Sequence, residues 1–287
     1  MKCLVTGNLG FLGSHLVSRL QTLEGITDIV GWDIKNGQDV CDPNLIEQDL
    51  DVIFHLACPV DPGHYSKVAL ATALASSLGT YNMLELALKN KAKFLYVSSS
   101  DIYGHTEKFP YKEDDWGLVD PIGERAYYSE SKRFGEMLTM IYHRWYGLDA
   151  RTVRPFNIYG PGMRYEDTRV IPSFFRCLKE GRPLEVTGDG STTRTFCYVD
   201  DFIDAVVRAM FSPNTNGEVF NIGTEEEVTM LLVAMMIDPK NYKFVGDVRP
   251  GEQLHRKPDI TKAKTVLKWE PKIALKRGLE LTWKNYQ

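Results

Sequence analysis

Residues 2–20, KCLVTGNLGFLGSHLVSRL, combine a short apolar run, a glycine-rich turn and a helical pattern. Cys3, Leu4 and Val5 form the predicted strand, and apolar residues recur at helical spacing from Leu16 onward. The glycines let the backbone turn tightly and approach a pyrophosphate, whose charge a helix N-terminus stabilises. Because the turn lies between a strand and a helix, we predict a dinucleotide site. Its predicted residues are Gly7, Asn8, Gly10, Phe11, Leu12 and Gly13.

A carboxylate ends the second predicted strand. Asp33 follows the run at 29–32 and lies 20 residues after Gly13, where it can accept hydrogen bonds from the adenosine ribose. It would repel a 2′-phosphate, which favours NAD over NADP, while Lys35 leaves NADP open. A solvated turn residue is the alternative interpretation of Asp33. The predicted cofactor contacts also include Asp39 and Val40 near the adenine, and Leu56 and Ala57 after the third strand.

Short β-type runs alternate with helical segments through the first half of the chain. Further strands are predicted at 52–56, 94–97 and 150–153, and helices at 66–91 and 126–146. This alternation is typical of βαβ units on a buried parallel sheet. We therefore predict an α/β fold, a Rossmann-type doubly wound parallel sheet with a smaller C-terminal substrate domain. The predicted NAD-binding domain covers 1–155, with 199–222 returning to it, and the substrate domain covers 156–287, interleaved with the first.

Composition excludes several function classes. The formal net charge of −4 disfavours a nucleic-acid partner. The five cysteines contain no CxxC pair and the six histidines no HExxH or HxxxH pair, so we expect reduced thiols, a cytoplasmic location and no metal. The longest apolar run, at 230–237, is far shorter than the ~20 residues of a membrane span, and the first apolar run is too short for a signal peptide. We expect a soluble protein.

Tyr128 and Lys132 lie four residues apart in a predicted helix and so share one face. An ammonium beside a phenol lowers the pKa of the phenol, which makes Tyr128 a candidate general base for a substrate hydroxyl. A solvated Tyr–Lys pair is the alternative. The stretch SSSDIYG, at 98–104, follows the fourth strand and reaches the carboxyl edge of the sheet, where open α/β sheets bind ligands.

The glycine loop, the serine-rich strand end and the Tyr/Lys pair, in this order, resemble the extended short-chain dehydrogenase/reductase (NAD-dependent epimerase/dehydratase) family. The resemblance covers nearly the whole chain. It implies NAD as cofactor, a catalytic trio of Ser99, Tyr128 and Lys132, and a nucleotide-diphosphate sugar as substrate. It also implies a homodimer that pairs through the helices at 66–91 and 126–146.

The second half of the chain carries the substrate side of the resemblance. Asn157, in RPFNIYGP at 154–161, matches a position that contacts the nucleotide sugar. Arg194 matches an arginine that holds the diphosphate in the family. An arginine suits this role because a guanidinium can pair with phosphate oxygens in a bidentate way. Arg249 and Arg256 are further phosphate candidates, although each arginine has a plain surface charge as its alternative. Ser100 and Glu130 complete the predicted substrate contacts.

Within the family, the chain most resembles the decarboxylases of UDP-glucuronate. The resemblance rests on PIGERAYY at 121–128, Arg169-Val170, RKPDI at 256–260 and WEP at 269–271. It implies that Arg169 lies near the sugar carboxylate and that Asp101, directly or through water, helps to return a proton to C5. A 4,6-dehydratase carries an Asp-Glu pair where this chain has Ser100-Asp101, which disfavours dehydration.

Two alternatives remain open at this stage. One is an NDP-sugar 4-epimerase of the UDP-glucose or UDP-glucuronate type. The other is a non-catalytic NAD-binding regulator, which the intact trio of Ser99, Tyr128 and Lys132 disfavours. The chain also departs from the family pattern at Ser76-Ser77, which stands where an Asn commonly lies beside the nicotinamide.

Overall fold

The computed structural model describes residues 1–60, 65–106, 108–247 and 255–286. Arg249 lies outside the described residues, so its predicted phosphate contact stays a prediction. Within these ranges, none of the helices has the length and apolar character that crossing a membrane requires.

The described chain alternates strands and helices throughout. The strands are β1 (Lys2–Thr6), β2 (Asp28–Trp32), β3 (Val52–His55), β4 (Lys93–Val97), β5 (Ala150–Pro155), β6 (Ile158–Tyr159), β7 (Leu184–Thr187), β8 (Thr193–Arg194), β9 (Cys197–Tyr198), β10 (Val219–Ile222), β11 (Val228–Thr229) and β12 (Tyr242–Val245). The helices are α1 (Phe11–Leu20), α2 (Tyr65–Leu74), α3 (Thr80–Asn90), α4 (Ala126–Tyr146), α5 (Val170–Lys179), α6 (Val199–Phe211), α7 (Met230–Ile237), α8 (Thr261–Val266) and α9 (Leu275–Lys284).

Six parallel strands form the main sheet, in the order β10-β5-β4-β3-β1-β2. The predicted α/β class and parallel sheet are confirmed. The chain runs from β1 outward to β2 and then returns to the other side of β1 for β3, so the strand order reverses between β1 and β3. A crevice opens at such a switch point, outside the carboxyl ends of the strands, and this is where ligands of open α/β sheets bind.

Both faces of the sheet are buried because successive side chains of a strand point to opposite sides. In β1, Cys3 and Val5 pack into one core that also contains residues of α1 and α6, whereas Leu4 packs into the other, with residues of α3 and α4. In β4, Leu95 likewise faces the first core and Tyr96 the second. This two-sided burial explains why the strands read as continuous apolar runs instead of alternating with polar residues.

The predicted helix at 66–91 is one continuous helical segment with a wide turn inside it. Between α2 and α3, residues 75–79 form a π-helical turn. Such turns are frequently found at functional sites.

Outside the main sheet, β6 pairs with β9, β7 with β12, and β8 with β11, whereas β10 pairs with β5. The return of β10 to the main sheet is what the proposed interleaved domains require.

A buried ion pair joins α4 to β5. Arg154 donates from Nε to Glu136 Oε1 at 2.9 Å and from Nη2 to Oε2 at 2.7 Å. Its Nη1 donates to the Tyr103 hydroxyl at 2.7 Å and to the Glu113 carbonyl at 2.9 Å. The side chains of Arg154 and Glu136 are only 8% and 12% exposed. Every described bond of this guanidinium therefore helps to hold α4 and the loop after β4 against the sheet.

We predict that Glu136→Gln lowers the free energy of unfolding by about 3 kcal/mol, because it leaves the buried Arg154 cation without its counter-charge. Glu280→Gln is the matched control, since its partner Arg277 lies at 3.2 Å on the half-exposed face of α9, where a pair contributes little. Urea unfolding followed by circular dichroism measures both. Equal midpoints for the two variants would contradict the proposed importance of the buried pair.

Candidate active site

A large cleft lies at the carboxyl ends of the main strands. Its volume is about 1740 Å³, which exceeds the roughly 300–1,000 Å³ of a pocket for one small ligand. Its walls include the glycine loop, the end of β4, the start of α4 and several residues of the second half of the chain. The cleft is large enough for two ligands side by side.

The glycine loop has the geometry of a phosphate cradle. Gly7 has a φ of +72°, in the left-handed region that glycine adopts without strain. A Cβ on Gly13 would lie 2.0 Å from the carbonyl oxygen of Gly7, so no side chain fits there. Helix α1 begins at Phe11, directly after the loop, and no side chain caps it. Its first N–H groups are therefore placed to bind an anion.

Asp33 lies where the sequence predicts it, at the end of β2 and in the cleft wall. Its carboxylate accepts hydrogen bonds from the backbone N–H groups of Leu9 at 3.1 Å and Lys35 at 3.0 Å. The Lys35 ammonium donates to the Leu9 carbonyl at 2.9 Å. The carboxylate is thus fixed against the glycine loop, and Lys35 is occupied in holding the same loop.

The other predicted cofactor residues divide into two groups. The cleft wall contains Phe11, Leu12, Asp39, Val40, Leu56 and Ala57. Asn8 is different, because its side chain lies against Gly31: a Cβ there would be 2.2 Å from Asn8 Nδ2. The structure therefore places the Asn8 side chain against strand β2, and Asn8 is not among the residues that line the cleft.

The predicted trio comes together in one place. Ser99 follows β4, and its Oγ accepts the Asp101 N–H at 3.1 Å. The Ser99 hydroxyl also lies close enough to the phenol of Tyr128 to lower the pKa of that phenol. Lys132, one helical turn further along α4, is almost fully buried and donates to the Val97 carbonyl at 2.9 Å. All three side chains line the cleft.

The pKa of Tyr128 departs from the sequence-based expectation. Burial raises the pKa of Tyr128 above its ordinary value, and the negative charge of Asp101 raises it further, whereas Ser99 and Arg169 lower it. Burial also lowers the pKa of Lys132. The expectation that Lys132 gives Tyr128 a lowered pKa is wrong for the protein without ligands, because desolvation of the phenol outweighs the favourable neighbours.

Cys58 is a site residue that the sequence reasoning missed. It follows the carboxyl end of β3, lines the cleft, and lies with its sulfur 3.3 Å from Ser76 Oγ. Cys58 also lies close enough to Lys132 to raise the pKa of its ammonium, against the effect of burial. Ser76 belongs to the π-helical turn and is one of the two serines at which this chain departs from the family pattern. The sequence signal that could have identified Cys58 is its position just after the carboxyl end of a predicted strand.

Asp101 is held between two arginines. Arg125 Nη2 donates to Asp101 Oδ2 at 2.7 Å, and Arg256 Nη1 donates to Asp101 Oδ1. Burial alone would raise the pKa of Asp101, but the guanidinium groups of Arg256 and Arg125 hold it below its ordinary value. Asp101 is therefore an ionised carboxylate at neutral pH.

Backbone pairing explains how Arg256 reaches this centre. Tyr111 accepts the Asp259 N–H at 2.7 Å and donates to the Lys257 carbonyl at 2.9 Å. The pairing holds residues 256–259 against the loop that follows Asp101. The sequence placed Arg256 among the phosphate candidates, whereas the structure places its guanidinium on Asp101. Arg125, which the sequence reasoning did not select, joins it there.

The remaining predicted substrate residues that the structure describes lie in the cleft, except Glu130. Asn157 has a φ of +43° and donates from Nδ2 to the Thr195 carbonyl at 2.9 Å. Arg169 Nε lies 3.0 Å from both carboxylate oxygens of Asp167. Arg194 donates to the Thr193 carbonyl at 2.7 Å. These three residues and Ser100 all line the cleft.

Glu130 is the exception, because it lies on another side of α4. Its carboxylate is 3.6 Å from Arg133 Nε. It borders a separate shallow groove with Ala73, Ser77 and Phe134, between α4 and the segment of α2 and the π-helical turn. The structure does not bring Glu130 to the substrate side.

Comparison with known proteins fits this geometry. Residues 3–223 match the model of the NAD dependent epimerase/dehydratase family. UDP-glucuronic acid decarboxylase 2 of Arabidopsis thaliana is 40% identical over 310 residues, which cover 100% of this chain and 68% of that protein.

Two solved structures show the same architecture. UDP-glucuronic acid 4-epimerase from Bacillus cereus, in complex with UDP-glucuronic acid and NAD, has a TM-score of 0.82 and 29% identity, covering 100% of this chain and 99% of that one. UDP-glucose 4-epimerase from Thermotoga maritima, with UDP-glucose, has a TM-score of 0.85 and 28% identity, covering 100% and 98%. These findings confirm the family predicted from the glycine loop and the Tyr/Lys pair. The chain belongs to the NAD-dependent epimerase/dehydratase family.

Proposed function

We propose that this protein is an NAD-dependent decarboxylase that converts UDP-glucuronate to UDP-xylose. The observation that carries the proposal is the position of Asp101, clamped by Arg125 and Arg256 beside the Ser99–Tyr128 hydroxyl pair. Arg169 lies in the same cleft. Guanidinium groups beside the reacting hydroxyls suit a sugar that carries its own carboxylate, because they compensate its charge. The decarboxylases that resemble this chain over its full length support the same conclusion.

The residues present fit NAD. The glycine cradle excludes a side chain at Gly13, and Asp33 is fixed at the end of β2 for the ribose hydroxyls. Gly7, Gly10 and the N-terminus of α1 would hold the pyrophosphate. When bound, NAD supplies the oxidation of C4 and its later reduction. A nicotinamide cation beside Tyr128 would also favour the phenolate that the protein alone disfavours.

The protein groups then act on protons and charge. Tyr128 removes the proton of the C4 hydroxyl, and Ser99 holds the same oxygen by a hydrogen bond. Oxidation at C4 leaves the sugar carboxylate β to a carbonyl. The C5–C6 bond breaks, carbon dioxide leaves, and the electron pair moves into an enolate whose oxygen Ser99 and protonated Tyr128 stabilise. An ionised Asp101 holds no proton of its own, so it can assist the protonation of C5 only through a water molecule that it orients.

A 4-epimerase is the second candidate, because a UDP-glucuronic acid 4-epimerase shares this fold along the whole chain. It would use the same proton transfer at C4 and keep all six carbons. The two activities differ in their products, which proton NMR separates.

Tyr128→Phe tests the chemistry. We predict at least a ~100-fold loss of turnover, because the variant keeps the ring but removes the group that accepts the C4 proton. Proton NMR of protein with NAD and UDP-glucuronate, in parallel with UDP-glucose, measures it. The wild type should form a UDP-pentose from the glucuronate, and Tyr146→Phe, on the exposed end of α4, should match it. A six-carbon product would replace the decarboxylase by an epimerase, and full activity of Tyr128→Phe would remove Tyr128 from the chemistry.

Gly13→Ala tests the cofactor cradle. The added Cβ would meet the Gly7 carbonyl oxygen at 2.0 Å, so the loop must shift and the affinity for NAD should fall at least about tenfold. Ser18→Ala is the control, because the exposed Ser18 hydroxyl donates to the Ser14 carbonyl at 3.0 Å on a part of α1 that does not line the cleft. Fluorescence titration with NAD measures both. Unchanged affinity in Gly13→Ala would mean that the phosphates bind elsewhere.

We further propose a cytoplasmic homodimer. All five cysteines are free, as expected in a reducing compartment. Large apolar side chains remain more than two-fifths exposed along the π-helical turn, α3 and α4, namely Leu78, Tyr81, Phe134 and Met137. Two copies could bury these faces against each other as a four-helix packing.

The double variant Phe134→Glu/Met137→Glu tests the dimer. Two charges in the proposed interface should convert a dimer to a monomer, because neither carboxylate would have a partner there. Leu232→Glu is the control, on the exposed face of α7 away from these helices. Light scattering at micromolar concentration gives the masses. A wild type with the mass of one chain, or a double variant that stays dimeric, would contradict the interface.

A further inference from the structure

The two arginines that hold Asp101 differ in exposure. The side chain of Arg256 is 15% exposed, whereas that of Arg125 is 49% exposed. Each takes a different carboxylate oxygen, since Arg256 pairs with Oδ1 and Arg125 with Oδ2. Arg256 is therefore the buried partner of Asp101, and Arg125 is the partner on the accessible side.

Arg125 comes from the same segment as the reacting phenol. It is the residue immediately before α4, three positions before Tyr128, and both line the cleft. Asp101 is close enough to Tyr128 for its charge to raise the pKa of the phenol. The Asp101 carboxylate therefore connects the Arg125 guanidinium, by an ion pair, to the surroundings of the Tyr128 phenol, which would remove the proton of the C4 hydroxyl. In a uronic acid sugar the carboxylate is on C5, the neighbouring carbon.

The charge balance around Asp101 allows an exchange of partners. Breaking a buried ion pair is costly when it leaves a charge uncompensated. If a second carboxylate takes Arg125, however, Asp101 keeps Arg256, and every charge remains paired. Arg169 has no such arrangement among its described contacts, because its Nε lies 3.0 Å from both oxygens of Asp167. Withdrawal of Arg169 would leave Asp167 without that bidentate contact.

We propose that Arg125 is the residue that selects a carboxylate on the sugar, and that the substrate carboxylate displaces Asp101 from it. The fork of a guanidinium suits a carboxylate in a bidentate way. In the protein without substrate, Asp101 pairs with Arg125 in place of the substrate carboxylate and so keeps the guanidinium directed into the cleft. The inference rests on the proposed function, since it identifies the residue that recognises the carboxylate of that substrate.

Binding measurements test the inference without turnover. In NAD-loaded protein carrying Tyr128→Phe, isothermal titration calorimetry gives the affinities for UDP-glucuronate and for UDP-xylose, which lacks the carboxylate. Adding Arg125→Met should weaken UDP-glucuronate about tenfold or more and leave UDP-xylose within about twofold. Arg125→Lys should recover part of the loss, because it keeps the charge but not the fork. Arg169→Met tests the competing assignment, which the sequence favours, that Arg169 recognises the carboxylate; the inference predicts that this variant keeps the preference for UDP-glucuronate over UDP-xylose.

The outcomes separate the inference from the function on which it rests. Loss of discrimination in Arg125→Met, with UDP-xylose still bound, supports the inference, and the retained UDP-xylose affinity shows that the site is folded. A preference that survives in Arg125→Met but disappears in Arg169→Met would overturn it and leave the decarboxylase intact. Failure of the Tyr128→Phe protein to bind either nucleotide sugar would overturn the proposed function, and the inference with it.

Discussion

The hydrogen bond from the Lys132 ammonium to the Val97 carbonyl, at 2.9 Å, ties helix α4 to the carboxyl end of β4. A cation this deeply buried must find oxygen partners or lose its charge, so the bond fixes one register of the helix against the strand. Tyr128 lies one turn before Lys132, and Ser99 lies two residues after Val97. The same contact that satisfies the lysine therefore brings the phenol and the serine hydroxyl together.

The buried surroundings of this contact have an electrostatic consequence. Burial lowers the pKa of Lys132 and raises that of Tyr128, so both groups are pushed towards their neutral forms. The protein alone is thus poor at making a phenolate. A cationic ring next to Tyr128 would change the balance, which couples the basicity of the phenol to the presence of the oxidised cofactor. Such coupling would restrict proton removal to the loaded protein.

Local sequence patterns predicted the parts of the site that depend on short-range geometry. The glycine cradle, the position of Asp33 after β2 and the bounds of α4 each follow from a few adjacent residues. Glu130 was assigned to the substrate side on resemblance, although it lies two residues from Tyr128. Because successive helical residues are separated by about 100°, two positions turn the side chain away from the cleft.

Contacts between distant segments could not be predicted in this way. Arg256 reaches Asp101 across 155 positions, and its approach depends on backbone pairing between Tyr111 and residues 257–259. The contact of Cys58 with Ser76 depends on the π-helical turn, which no propensity in that stretch indicates. The pKa of Tyr128 depends on how much protein surrounds it, a quantity that a pairwise Tyr–Lys argument leaves out.

The arrangement around Asp101 also bears on the direction of the proposed reaction. With substrate bound, two carboxylates, one from the protein and one from the sugar, would compete for Arg125. Loss of carbon dioxide removes one of the two negative charges and lets Arg125 return to Asp101, so the site regains the ion pairs of the free protein. A 4-epimerase that acts on UDP-glucuronate needs the opposite, because the substrate carboxylate stays bound and charged throughout. The two activities would thus differ in whether the protein has a carboxylate of its own that competes with the sugar carboxylate for the arginine. In this chain Asp101 is such a carboxylate.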